Sequence, residues 1–380
     1  MPDAPLPPRR PRTPSADRPA RRSTDAGSPR PRKKSGRKRS SSNATVWWWI
    51  GGLTGGGALL LLLCCGGLFV VANRQIEAEG RARLEQAQRQ AESGETLAEA
   101  VAGFNTTLGP PGPIEDPPEE PPPGAPFALV SYPSPVGDLP AYLTAEVAEG
   151  TLDPNARRTA IVWITGGDCN TIGPVWEPGP PEDDQTASAF REAGVMMLFP
   201  SLRGGNANPG RREGFLGEVE DVLAAAEFLA AQPGVDPDRI YLGGHSTGGT
   251  LAALVAERSD RFRATFAFGP VFDVRDYGGD YLYHVPRNDE REALVRSPGY
   301  WLNDVRTPLF LIEGAGGNAD SLRELQRATD NPRVRCLVVP NADHFDVLAP
   351  ANAAIAEQIL ADDGPTCDIA LTAEELAGGR

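Results

Sequence analysis

Residues 239–254 read Arg239-Ile-Tyr-Leu-Gly-Gly-His-Ser-Thr-Gly-Gly-Thr-Leu-Ala-Ala-Leu. Ile240, Tyr241 and Leu242 form the short apolar run of a fully buried strand. Leu251, Leu254 and Val255 then recur at helical spacing among alanines. Between the two stands Gly244-His245-Ser246-Thr247-Gly248, a G-x-S-x-G. A strand that turns at once into a helix holds the central serine in a strained conformation, with its hydroxyl exposed above the sheet. Glycines two residues to either side let neighbouring backbone pass close by. A bare G-x-S-x-G also occurs in ordinary glycine-rich turns. Here the flanking strand and helix supply the context the chemistry needs, and Ser246 is read as a nucleophile.

Outward from this turn, strands and helices alternate over residues 127–363. Phe127 to Tyr132 and Leu139 to Ala145 read as strands around the turn Ser134-Pro-Val-Gly-Asp138. Further strands are expected at 159–164, 195–199, 262–268, 308–312 and 334–339, and helices at 186–193, 217–231, 318–328 and 352–361. Such alternation predicts an α/β fold with a mostly parallel sheet covered by helices on both faces. Active sites of such sheets lie at the carboxyl ends of the strands.

A serine hydroxyl needs a base within hydrogen-bond reach, and the chain has three histidines. His245 adjoins the nucleophile, and its side chain must diverge from that of Ser246. His284 lies in a polar, aromatic insertion. His344, in Asn341-Ala-Asp-His-Phe-Asp, follows the last expected strand and is the candidate base. A carboxylate must hold the imidazole's tautomer. In the chain order Ser…acid…His it belongs after Ile312, in Glu313-Gly-Ala-Gly-Gly-Asn-Ala-Asp320. Asp320 is the first choice, although an acid in the first turn of a helix is favoured there in any case. Glu313 and Asp273 are the alternatives. Two donors are expected for an oxyanion: the backbone N–H of Thr247, and that of Gly167 in Thr165-Gly166-Gly167-Asp168. No cysteine spacing suggests a metal site, and no cofactor is called for. The insertion 274–304 carries Tyr277, Tyr281, Tyr283, Tyr300 and Trp301, placed either to line a lid or to pack it onto the core.

Together these motifs resemble the α/β-hydrolase superfamily, and within it the catalytic domain of the prolyl oligopeptidase family. The likeness rests on Gly244-His-Ser-Thr-Gly-Gly after Asp238-Arg239-Ile240. It also rests on Ser201-Leu-Arg-Gly-Gly-Asn and Asn208-Pro-Gly-Arg-Arg-Glu before the long helix, on Arg296-Ser-Pro before Thr307-Pro-Leu, and on Asp343-His344-Phe. It implies an α/β-hydrolase fold and a Ser-His-acid hydrolase of peptide or ester bonds. The loop after Ile312 departs from the family's Gly-x-x-Asp. The segment before Phe127 leaves no room for a β-propeller, so ester and peptide substrates stay equally open.

The amino-terminal third is of another kind. Residues 1–45 hold 13 Lys and Arg against three Asp, a net of +10 within a chain of net −14. With almost nothing apolar to bury, they are expected to be a disordered basic tail. Residues 46–72 carry no charge for 27 positions and open on Trp47, Trp48 and Trp49. That is long enough for a single transmembrane helix with an interfacial aromatic end. The basic head then places the amino terminus in the cytoplasm and the catalytic domain outside. The length of the head and the absence of an Ala-x-Ala site speak against a cleaved signal peptide. Residues 73–108, rich in Ala, Glu, Gln and Arg, are expected to form a helical stalk. Residues 109–126, nine of them proline, are expected to form an extended spacer. Gly51 with Gly55 and Gly52 with Gly56 have the spacing that lets membrane helices pair. Through that helix or the stalk the chain could form a homodimer. Residues 364–380 read as a carboxyl-terminal tail. Cys169, Cys336 and Cys367 would then face an oxidising compartment, with Cys336 and Cys367 the conceivable pair.

The reading is therefore a membrane-tethered serine hydrolase that acts on a small ester or peptide. The adjacent membrane segment makes the basic head a poor argument for nucleic acid. A degenerate hydrolase fold serving as a tethered binding module is the alternative. A nucleotide-binding protein is disfavoured, because Gly243-Gly-His-Ser-Thr-Gly-Gly is neither G-x-G-x-x-G nor a P-loop.

Overall fold

The computed structural model describes residues 74–378 apart from 76, 279–284 and 287. The basic tail, the apolar segment 46–72, Tyr281, Tyr283 and His284 lie outside the described residues. Among those described, no helix is long and apolar enough to cross a membrane.

Eight strands form one sheet in the order β1-β2-β4-β3-β5-β6-β7-β8. They are β1 (Phe127–Ser134), β2 (Gly137–Thr144), β3 (Arg158–Ile164), β4 (Met196–Pro200), β5 (Val235–His245), β6 (Thr265–Phe268), β7 (Leu309–Gly314) and β8 (Val334–Val339). The β1–β2 hairpin pairs antiparallel, β2 joins β4 antiparallel, and every later pairing is parallel. This is an α/β-hydrolase-like sheet, as the alternating pattern predicts. The helices are α1 (77–93), α2 (Leu97–Val101), α3 (Ala145–Ala148), α4 (Ser188–Glu192), α5 (Glu218–Ala230), α6 (Thr247–Arg258), α7 (Glu290–Leu294), α8 (Ala319–Ala328), α9 (Leu348–Ala361) and α10 (Ala373–Leu376). Helix α9 begins four residues before the expected start. Pro350 lies in its first turn, where a missing N–H breaks no helical bond.

Side-chain alternation along the strands divides the interior into two cores. Val162, Leu198, Leu242, Ala267 and Leu311 face one side, with Val222 of α5 and Leu254 of α6. Trp163, Phe199, Tyr241, Phe266, Phe268 and Phe310 face the other, with Phe190 of α4 and Ile355 of α9. The sheet's aromatic side chains are thus concentrated on the second face, the aromatic core, the first being the aliphatic core. All of these side chains are buried.

Four expectations about the periphery are corrected. The stretch expected as a helical stalk is helical over 77–93 and 97–101 but packs on the domain. Ala87, Leu97 and Ala100 are buried in the aliphatic core, Arg83 pairs with Asp276 at 2.7 Å, and the Leu97 N–H donates to Asp304 at 2.6 Å. A sparse apolar stripe of mostly small residues suffices to dock a helix that otherwise reads as polar. The proline-rich stretch is held as well. Glu115 pairs with Arg212 at 2.6 Å, and the Tyr142 hydroxyl donates to the Glu119 carbonyl at 2.7 Å. The carboxyl-terminal tail buries Ile369, Leu371 and Leu376 against the aromatic core, and α10 closes it with a capping box from Thr372 and Glu375. Cys336 and Cys367 are separate thiols with no disulfide between them.

Candidate active site

Strand β5 ends at His245 and α6 begins at Thr247, so Ser246 alone makes the turn between them. Its backbone sits at φ 55° and ψ −113°, a sparsely populated region for a non-glycine residue that costs on the order of 1–3 kcal/mol. The surroundings enforce it. The Ser246 N–H donates to the Phe268 carbonyl at 2.7 Å, and the Ser246 carbonyl accepts the first helical bond from Thr250 at 2.9 Å. A Cβ on Gly244 would lie 2.4 Å from the Gly248 carbonyl oxygen, and one on Gly248 2.4 Å from the Ile164 carbonyl oxygen. Both G positions of the motif therefore require the absence of a side chain.

His344 comes from the loop after β8, and its Nδ1 lies 2.8 Å from Glu313 Oε2 at the end of β7. Glu313 is fully buried, and its other oxygen accepts the Gly314 N–H at 2.7 Å. A carboxylate on Nδ1 keeps the proton there and leaves Nε2 as the basic nitrogen. The pair reaches the elbow through Gly269, which follows the Phe268 carbonyl that holds Ser246. A Cβ on Gly269 would lie 2.3 Å from His344 Cε1 and 2.9 Å from Glu313 Oε2.

The other two candidate acids are engaged elsewhere. Asp320 sits in the first turn of α8, exposed, and pairs with Arg323 at 2.6 Å. Asp273 is buried and binds Arg275 at 2.5 Å and the Tyr300 hydroxyl at 2.8 Å. Burial alone would raise its pKa, but hydrogen bonds and charge from Arg275 together hold it below the ordinary value. The carboxylate that meets the base is therefore Glu313, in place of the first choice Asp320. The strand runs two residues further than the apolar run suggests, to Gly314, and its last side chain, Glu313, reaches the imidazole.

The loop after β3 lies on the other side of the elbow. Gly167 adopts φ 77°, and its carbonyl accepts the Thr247 hydroxyl at 3.1 Å. The Thr247 N–H opens α6, where first-turn amides have no partner within the helix. The Thr247 hydroxyl thus ties the residue after the serine to Gly167. Asp168 anchors the same loop to Arg212 at 2.5 Å, and Arg212 in turn holds Glu115. A cavity of about 530 Å³ opens beside Arg212, between residues 110–115 and the 204–212 loop. The described aromatics of the insertion pack inward: Tyr300 and Trp301 are buried, and Tyr277 lies against Phe215.

His245 has a place that sequence reasoning gave it only by exclusion. Its side chain turns away from Ser246 and is 1% exposed. Its Nε2 lies 2.8 Å from the His344 carbonyl oxygen, and its Nδ1 lies 2.8 Å from Gln185 Nε2. Burial first, and then the neighbouring His344, push its pKa from 6.5 down to about 4, so it is neutral near pH 7. Gln185 carries no sequence signal that singles it out.

A strained serine elbow, a His–Glu pair and a glycine loop on a mainly parallel sheet are now in view together. Residues 181–360 match the prolyl oligopeptidase family. The match bears out the resemblance drawn from the elbow, the Arg-Gly-Gly-Asn segment and Asp343-His344-Phe. Among characterised and predicted proteins, the chain is 30% identical over 142 residues to an uncharacterized peptidase, YtmA, of Bacillus subtilis (strain 168). That match covers 33% of this chain and 53% of the relative. It is 25% identical over 237 residues to dipeptidyl-peptidase 5 of Porphyromonas gingivalis, covering 56% of this chain and 34% of that enzyme. Thus the chain spans about half the length of the first relative and a third of the second. The crystal structure of a puromycin hydrolase superposes with a TM-score of 0.50 at 17% identity, over 62% of this chain and 40% of that one. The likeness is one of fold.

Proposed function

We propose that the protein is a serine hydrolase that cleaves peptide or ester bonds through an acyl-enzyme on Ser246. In this reading His344 Nε2 takes the Ser246 proton during attack and returns it to the leaving group. Glu313 holds the Nδ1–H tautomer and stabilises the imidazolium. The amides of Thr247 and Gly167 receive the oxyanion. The observation that carries the reading is the strained Ser246 backbone, held by the Phe268 carbonyl, with an imidazole oriented by a buried carboxylate packed against the next residue, Gly269. Such strain persists where surrounding structure over-determines it, as at a nucleophile. The family match supports hydrolysis of an acyl bond, and the presence of peptidases among the relatives supports a peptide substrate. The proposal also retains attachment to a lipid bilayer through residues 46–72, with the catalytic domain on the extracytoplasmic side. Its support is the uncharged 27-residue run behind a basic head. The alternative of an inactive binding module drew its support from an unsettled acid, and Glu313 removes that support.

The test is fluorophosphonate labelling of the full-length chain, with Ser246→Ala and His344→Ala alongside. Labelling of wild type that is abolished by Ser246→Ala and strongly slowed by His344→Ala is the expected result. A folded wild-type chain that does not label would overturn the proposal.

A further inference from the structure

Four groups from four separate segments line up behind the candidate active site. The Gly166 N–H, beside the oxyanion loop's Gly167, donates to Gln185 Oε1 at 3.0 Å. Gln185 Nε2 lies 2.8 Å from His245 Nδ1 and also donates to Asp183 Oδ1 at 2.8 Å. His245 Nε2 lies 2.8 Å from the carbonyl oxygen of His344. The two ends settle the direction of every bond between them. A backbone amide can only donate, so the Gln185 atom facing Gly166 is its oxygen. The Gln185 nitrogen, at 2.8 Å against 3.2 Å for its oxygen, then faces His245, and the Nδ1 of the neutral ring accepts from it. The proton on His245 is therefore on Nε2, aimed at a backbone carbonyl that can only accept. The chain is complete only with this neutral tautomer.

It also has no slack. A Cβ on Gly166 would lie 2.7 Å from His245 Nδ1. The rings of His245 and His344 are 4.5 Å apart, and Phe345 packs against both, at 5.5 and 4.9 Å. Glu313 fixes His344 through its side chain, whereas His245 fixes it through its backbone. The same rod of hydrogen bonds reaches the loop whose Gly167 carbonyl accepts the hydroxyl of Thr247, the residue after Ser246.

We infer that His245 and Gln185 are positioning residues that set the distance between the His344 loop and the Gly166–Gly167 loop across the nucleophile. The inference rests on the proposed serine-hydrolase reading. Neither residue is assigned contact with substrate, so their loss lowers the rate of attack and leaves ground-state binding in place. A misplacement of about 1 Å between reacting groups costs about 100-fold in rate.

The experiment uses the full-length chain with Gln185→Leu, Gln185→Glu, His245→Leu and His245→Gln, each checked for folding by thermal melting. Two rates are read: fluorophosphonate labelling, and turnover of a p-nitrophenyl ester. Gln185→Leu is expected to slow both by about tenfold to 100-fold, with KM nearly unchanged. Gln185→Glu keeps the acceptor for Gly166 but loses the donor to His245, and it falls between Gln185→Leu and wild type. His245→Gln can still donate to the His344 carbonyl and recovers part of what His245→Leu loses. The double variant Gln185→Leu/His245→Leu costs no more than His245→Leu alone, because both break one chain. With three histidines in the chain, 15N spectra of labelled histidine resolve the tautomer directly. A neutral Nε2–H form of His245 at pH 6 is expected. The inference is overturned if wild type labels and a folded Gln185→Leu labels at the same rate. It is also overturned if His245 carries its proton on Nδ1, or if the two single losses add. Failure of the hydrolase reading looks different, because wild type itself then does not label.

Discussion

At the scale of single residues, the site depends on which carboxylate meets one imidazole. Glu313 and Asp320 are seven positions apart and flank the same loop, yet only Glu313 touches His344. Replacing Glu313 by Gln keeps its shape but removes the charge and presents the wrong partner to Nδ1–H. A fall in kcat of about 10³-fold or more is expected, by analogy with the loss of the triad carboxylate in serine proteases. Asp320→Asn, at an exposed position paired only with Arg323, is expected to change kcat by less than about threefold. Steady-state kinetics on a p-nitrophenyl ester separates the two. A large loss from Asp320→Asn with little from Glu313→Gln would reverse the assignment. Ser246 and His344 were legible in the sequence because the elbow and the strand-end loop are local patterns. Glu313 was legible only as an alternative, since nothing local says where a side chain at a strand's end will point.

At the scale of elements, α6 carries the nucleophile at one end and an unusual group at the other. Glu257 is 2% exposed, and neither carboxyl oxygen has a hydrogen-bond partner among the described residues. Burial first, and then the Asp304 charge, raise its pKa well above the ordinary carboxylate value. The folded chain therefore holds this carboxyl protonated while the unfolded chain ionises it above about pH 4.3. The unfolded state binds fewer protons over that interval, so this group's contribution to stability falls as pH rises from about 4.3 towards the folded pKa. Glu257→Met keeps helix propensity and volume and has no proton to hold. It is expected to raise stability by roughly 1–3 kcal/mol at pH 8, a few degrees in Tm, and by less at pH 5. Thermal melts at the two pH values check this. Equal or lower melting temperatures for the variant at both would show that Glu257 finds a partner. The helices and strands themselves were largely legible, because strong periodicity and turn residues coincide at each boundary. The start of α9 was missed because Pro350 looks like a stop signal yet fits a first turn.

At the scale of the whole molecule, residues 77–126 belong to the catalytic body. Leu97 is fully buried, and Ala87 and Ala100 nearly so. Arg83, Thr106 and Glu115 bind Asp276, Glu292 and Arg212 across the domain's surface. Burial of Leu97 alone is worth about 2 kcal/mol. A chain beginning at residue 74 is therefore expected to melt cooperatively, whereas one beginning at residue 127 exposes its aliphatic core and aggregates or melts at a much lower temperature. Matching thermal unfolding of the two fragments would refute this. A shortened fragment for activity work should keep the amino-terminal wrap, since Arg212 links Glu115 to Asp168 in the loop after β3.

Local chemistry in the chain was enough to determine the order of strands and helices, the two-sided sheet, the elbow at Ser246 and the choice of His344 as the candidate base. Each follows from periodicities and turn residues within a dozen positions. Only the tertiary structure decided that Glu313 is the carboxylate beside His344, that hydrogen bonds through Gln185 and His245 join the His344 loop to Gly166, and that an apparent stalk packs on the domain. Those contacts join residues 31, 60 and 193 positions apart. Each depends on side-chain direction after the chain has closed on itself, which no local pattern encodes.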